Sequence, residues 1–148
     1  MMLDAKEIDA RIRGSFARQT IMTTLGAEIA AVRAGEVEIV LPFADRILQK
    51  HEFIHAGAVA TIADSACGYA ALTVMPRDAA VLTTEFKINL LAPAKGERLR
   101  AVGRVVRSGK KLVITLGEVF AEEGGARKQV ALITATMMVV ETGTGLRD

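Results

Sequence analysis

The chain has 148 residues, 51% of them hydrophobic and 24% charged, with a formal net charge of +2. That size suits one domain, residues 1–148, with a real core, and the balance excludes a disordered chain. A charge this small does not imply a nucleic-acid partner, although local basic clusters still matter, and with no Trp and a single Tyr the chain offers no aromatic platform for stacking bases.

Cys67 is the only cysteine, so no intrachain disulfide can form, which favours a reducing compartment. The segment Met1 to Glu7 lacks the basic-then-apolar order of a signal peptide. No uncharged run nears the ~20 residues of a membrane span. A cytoplasmic protein with no membrane partner is the expectation.

From the N-terminus, Ile8, Ile12 and Phe16 recur every four residues, which predicts a helix over about 4–18 capping a sheet. Strands are expected over about 26–41. Glu36 to Leu41 alternates, Gly26 to Val32 can pair with it through Arg33-Ala34-Gly35, and Pro42 ends it. Phe43 to Ile54 has no period and reads as a long loop, a type that is often functional. Ala56 to Leu72 is apolar nearly all round, so a helix over about 56–73 is expected to be buried on every face.

Over about 81–140 come four strand-like runs: Val81 to Leu91, Arg98 to Arg107, Leu112 to Ala121 and Val130 to Val140. Turn residues separate them at hairpin lengths, which predicts a four-strand meander. The tail from Thr142 is rich in Gly and Thr and reads as frayed. The inventory gives an α+β fold, an antiparallel sheet of five to six strands curled around one central helix. Several strands are apolar on both faces, which points to a dimer or a larger oligomer.

Asp64 is the only charged side chain between His55 and Arg77. An unpaired carboxylate in an apolar helix costs several kcal/mol or raises its pKa, and Asp is a poor residue for a helix interior. A local partner such as Ser65 would make it structural. Without one, a broken local rule points to function.

His55-Ala56-Gly57 opens the same helix, whose free N–H groups suit an oxyanion. Gly57 and Asp64 are seven residues apart, so roughly 10 Å along the helix. One carbonyl cannot touch both. If both act, they come from two subunits with antiparallel helices, and each site is shared.

His51-Glu52-Phe53-Ile54-His55 also matches the H-E-x-x-H zinc signature, which needs a helix running through both His. The helix here is expected to start after His55, and no further His exists, so no metal and no cofactor are expected. Ser65 lacks a G-x-S-x-G elbow, and Cys67 has no evident activator. Arg107-Ser108-Gly109-Lys110-Lys111 is a basic turn that is either a solvated hairpin or a phosphate contact.

The spacing of His55-Ala56-Gly57 and Asp64, the Ala63-Asp64-Ser65-Ala66 run and Thr83 to Pro93 resemble the hotdog-fold acyl-CoA thioesterases of the phenylacetate-pathway type. The resemblance implies hydrolysis of acyl-CoA to free acid and coenzyme A. Asp64 would be general base or nucleophile, and N–H groups at Ala56 and Gly57 would polarise the thioester carbonyl. Thr83 would position the water, and Arg107 to Lys111 would meet the coenzyme A phosphates. A homodimer or a dimer of dimers would carry the shared sites. Gln49 stands where the family often has Asn, and Ala56 replaces the first Gly of H-G-G. These departures bear on rate and acyl preference. The alternatives are a hotdog dehydratase or hydratase and a non-catalytic acyl-CoA binding protein.

Overall fold

The computed structural model describes residues 2–141 and 143–148. Its elements in chain order are α1 (Ala5–Arg18), α2 (Thr20–Leu25), β1 (Glu28–Arg33), β2 (Glu36–Pro42), a 3-10 turn (Asp45–Ile47), α3 (Ala56–Leu72), β3 (Ala80–Leu90), β4 (Arg98–Ser108), β5 (Leu112–Glu123) and β6 (Ala126–Val140). All strand pairs are antiparallel, and the six strands lie in the order β1-β2-β4-β5-β6-β3. The sheet curls around α3, the architecture that the sequence implies.

The predicted four-strand meander is corrected. Only β4, β5 and β6 run as one, while β3 pairs with β6 and forms the edge. The segment read as a hairpin turn, Pro93 to Gly96, is instead a crossover. The Ala94 carbonyl accepts from the Ile54 N–H at 2.9 Å, and the Glu97 carbonyl accepts from the Phe43 N–H at 3.0 Å. These bonds pin the connection under the start of α3 and carry the chain past the sheet end to β2. The local turn residues were real, but long-range backbone bonds decided where they led.

The α1 helix starts at a capping box. The Asp4 carboxylate accepts from the Glu7 N–H and the Glu7 carboxylate from the Asp4 N–H, both at 2.9 Å. Ile8 and Ile12 are buried, as their spacing requires. The Arg11 guanidinium donates to the carbonyls of Leu72, Met75, Pro76 and Ala79 at 2.6–3.2 Å, fixing α1 to the end of α3. The short α2 was not expected from the sequence. It begins after a break at Gln19 and stops at Gly26, whose φ of 83° is left-handed.

Two glycines let α3 lie against the sheet. Gly103 and Gly117 face each other on β4 and β5. A Cβ at Gly103 would stand 2.4 Å from the Ala66 carbonyl carbon, and one at Gly117 would stand 2.9 Å from Cys67 Sγ. Cys67 is fully buried, and burial pushes its thiol up to about 12, so it is chemically quiet.

Burial of α3 on every face is also corrected. Ala56 and Gly57 are exposed, and Ala60, Thr61, Asp64, Ser65 and Gly68 are half-buried. These positions form one stripe, because the sheet wraps the other sides of the helix and leaves this side to side chains from α1 and β3. Thr142 lies outside the described residues. Asp148 in the tail is anchored, its carboxylate accepting from the Val81 N–H at 2.6 Å.

Candidate active site

Asp64 lies on the half-open stripe of α3, and its Oδ1 accepts from Thr83 Oγ1 at 2.8 Å. Ser65 is not its partner, since that hydroxyl donates to Gln19 Oε1 at 3.4 Å. Burial holds the Asp64 carboxyl above its ordinary value, and the Thr83 hydrogen bond opposes the shift. A carboxylate with raised basicity beside a hydroxyl is suited to taking a proton from water.

Thr83 reaches Asp64 because β3 carries a bulge. Thr83 pairs with Met137 and Glu85 with Thr136, leaving Thr84 as the extra residue. Past the bulge, Phe86, Ile88 and Leu90 pair with Ala135, Ile133 and Ala131 on the helix side. Unbroken alternation would place Phe86 opposite to Thr83. The bulge keeps Thr83 and the later apolar residues on one face.

The start of α3 differs in detail from the expectation. His55 is the N-cap, and its Nδ1 accepts from the Gly57 N–H at 2.8 Å. This bond places the His55 proton on Nε2. The His55 carbonyl accepts from Ala58 at 2.9 Å and from Val59 at 3.1 Å. Among the described residues none accepts from the Ala56 N–H. The Gly57 N–H, expected as the second donor, is held by the imidazole. Gln49 turns its Oε1 back to accept from the His51 N–H.

The site residues fall into two separate groups. Gln49, His55 and Ala56 line a cavity of ≈ 560 Å³ with Leu90, Leu91 and Pro93. Asp64 and Thr83 line another of ≈ 300 Å³ with Ser15, Gln19, Ser65 and Tyr69. Ala56 and Asp64 are eight residues apart on α3, so ~12 Å of helix separates them. The turn Arg107 to Lys111 is exposed and lies at the far end of α3. There Lys110 shares a third cavity with Met75 and Arg77.

The zinc motif is not built. His51 and Glu52 lie in a turn and His55 is the cap, so no helix aligns the two imidazoles. Among the described residues no three His, Cys, Asp or Glu side chains are grouped for a metal, and no helix is long and apolar enough to cross a membrane.

The sequence reading passed over Gln19 and Tyr69. The signal was present in Tyr69, the only Tyr, five residues after Asp64 in an apolar helix. Gln19 carried no signal, because only the break between α1 and α2 turns it inward.

Comparison with known proteins gives a consistent result. A family model described as the thioesterase superfamily matches residues 51–128, more than half of the chain. The crystal structure of a thioesterase family protein from Silicibacter pomeroyi superposes with a TM-score of 0.88 at 44% identity, covering 90% of this chain and 98% of that one. The E. coli PaaI protein from the phenylacetic acid degradation operon shares the fold, with a TM-score of 0.84 at 20% identity over 93% of this chain and 96% of its own. A relative from Thermoplasma volcanium, named a putative esterase, is 28% identical over 101 residues, 68% of this chain and 75% of its own length.

Proposed function

The chain belongs to the thioesterase superfamily, and on that premise we propose that it hydrolyses acyl-CoA thioesters to free acid and coenzyme A. The observation that carries the reading is the Asp64 carboxylate, half-buried on an apolar helix and engaged by one hydroxyl, Thr83.

In the proposed reaction water attacks the thioester carbonyl while Asp64 takes its proton. Thr83 orients the carboxylate. The Ala56 N–H, aided by the positive end of α3, stabilises the oxyanion. Collapse breaks the C–S bond, and the proton on Asp64 passes to the departing thiolate. The nucleophile route instead forms an anhydride at Asp64, which water then opens. Single turnover in oxygen-18 water separates the two routes, since label entering the Asp64 carboxylate marks the anhydride.

Asp64 and Ala56 line different cavities of one chain, so we infer a homodimer in which Asp64 serves the partner's helix start. The free β3 edge supports this reading. Phe86, Leu90 and Leu91 there are 45%, 54% and 55% exposed, an apolar run that a second copy would cover. Arg107, Lys110 and Lys111, exposed on their turn, would meet the coenzyme A phosphates. The hydratase alternative needs His55 as a base, yet its Nδ1 is occupied by the Gly57 N–H.

The test is an acyl-CoA panel on wild type beside Asp64→Asn and Asp64→Ala. Loss of turnover in both variants, with binding retained, is expected. Full activity in either would sink the assignment. Tight binding without turnover in wild type would favour the non-catalytic alternative.

A further inference from the structure

We propose that Arg46 is a positioning residue for the reaction: it joins the end of α2 to the 3-10 turn and so fixes where the Gln49 loop and the Ala56 N–H stand. The inference rests on the thioesterase reading and deepens it.

Arg46 lies in the turn Asp45–Ile47, with its side chain exposed. None of the ion pairs among the described residues includes it. Its hydrogen bonds go to carbonyls. Nε donates to the Thr24 carbonyl at 3.1 Å and Nη2 to the Leu25 carbonyl at 2.9 Å, the last two residues of α2. A helix end leaves such carbonyls without helical partners, and a planar guanidinium reaches two of them at once. The seat leaves room for it. A Cβ at Gly26 would stand 2.6 Å from Arg46 Nη2, so the bare glycine backbone lets the guanidinium lie against it.

The turn passes this anchor on to the site. The carbonyl of Ile47, next in the chain, accepts from the His55 N–H at 2.9 Å. His55 caps α3 and directly precedes Ala56. The Gln49 N–H donates to the Phe53 carbonyl at 2.8 Å and closes the loop whose Gln49 side chain lines one cavity with His55 and Ala56. The far end of α2 is held as well. Gln19, its N-cap, donates from Nε2 to the Tyr69 hydroxyl of α3 at 2.6 Å. Helix α2 is therefore a strut between α3 and the loop, and Arg46 is the joint at its loop end.

Position here bears on rate more than on binding. A donor to the oxyanion acts on charge that develops in the transition state, and misplacement by ~1 Å costs up to about a hundredfold. With the joint opened, the loop and the helix start shift by less than that. The expected loss is about tenfold in kcat, with KM changed by less than about threefold.

The experiment measures kcat and KM per folded enzyme, with the acyl-CoA ester that wild type turns over fastest in the panel. Arg46→Met keeps the stem and removes the donors, and the tenfold loss of kcat is expected there. Gly26→Ala presses on the guanidinium from the other side, and its loss should not add to that of Arg46→Met, since both open one joint. Arg11→Met is the control for stability. It strips a guanidinium from helix-end carbonyls at the far end of α3, and it should lower Tm and leave kcat as it is. The ascending limb of the pH profile keeps its place in every variant, because Asp64 is untouched. If Arg46→Met does not fold, Arg46→Lys, which keeps the charge and loses the fork, carries the same test with a smaller drop in kcat. A kcat in the Arg46 variant no lower than in Arg11→Met, a loss confined to KM, additive losses with Gly26→Ala, or a shifted limb overturns this inference alone. No turnover of any ester by wild type overturns the thioesterase reading and this inference with it.

Discussion

Replacing Thr83 with valine isolates one hydrogen bond at the proposed centre. Thr83 Oγ1 donates to Asp64 Oδ1 at 2.8 Å, and valine keeps the branched shape while removing the donor. A hydrogen bond to a charged group contributes about 1.5–3 kcal/mol, which corresponds to a loss of roughly tenfold to a hundredfold in kcat/KM. The sign of the pH effect is also fixed. Thr83 favours the ionised carboxylate, and burial already pushes Asp64 up. Without the hydroxyl the carboxyl rises further, so the ascending limb of the kcat/KM profile moves to higher pH. The loss is largest in acid and shrinks in base. Release of coenzyme A thiol, followed with a thiol-reactive dye across a pH series, reads both quantities, and Thr83→Ser should restore the wild-type profile. An unmoved limb in Thr83→Val would refute the reasoning, as would an equal loss at every pH that tracks a loss of folded protein.

Asp64→Asn should be inactive yet more stable. Because burial raises the Asp64 carboxyl above its ordinary value, the native state holds this proton more tightly than the unfolded chain. The group's contribution is fully present below the ordinary carboxylate range and is lost as pH rises through the folded value. Near neutral pH the variant should melt higher, and the gain should vanish in acid; calorimetry at the two pH values checks this. Gly103→Ala should lower Tm, since its Cβ would stand 2.4 Å from the Ala66 backbone, and overpacking of this kind costs about 1–3 kcal/mol. An unchanged melting curve would contradict the close packing of α3 on β4. Arg11→Met should lower Tm by several degrees, because four carbonyls at the end of α3 lose their donor. Arg11→Lys should restore only part of it, lacking the planar fork, and full rescue by lysine would contradict that account.

Much of the fold was legible because its signals are local. The four-residue spacing of Ile8, Ile12 and Phe16, the apolar run from Ala56 to Leu72 and the alternation of Glu36 to Leu41 each mark one element and the side it buries. Strand order was not legible. Pro93 to Gly96 carries turn chemistry whether the chain doubles back or crosses over, and only the bonds from Ile54 and Phe43 distinguish the two.

The candidate site divides in the same way. Asp64 stood out in the sequence because a carboxylate among Ala, Ile and Cys breaks the local pattern. His55 was legible as a helix start, but a sequence cannot say that its imidazole takes the Gly57 N–H and leaves the Ala56 N–H free. Thr83 reaches Asp64 only because an unpaired Thr84 resets the alternation of β3. Gln19, 45 residues before Asp64, enters the Asp64 cavity only through the packing of α1 on α3.

By itself, then, the sequence determined the helices, the strands and the one carboxylate that apolar burial cannot explain, since these follow from periodicity and the cost of buried charge. The tertiary structure decided the edge position of β3, the polar pocket around Gln19 and the separation of Asp64 from Ala56 into two cavities. Those depend on which distant backbone groups find each other, and no local pattern records that.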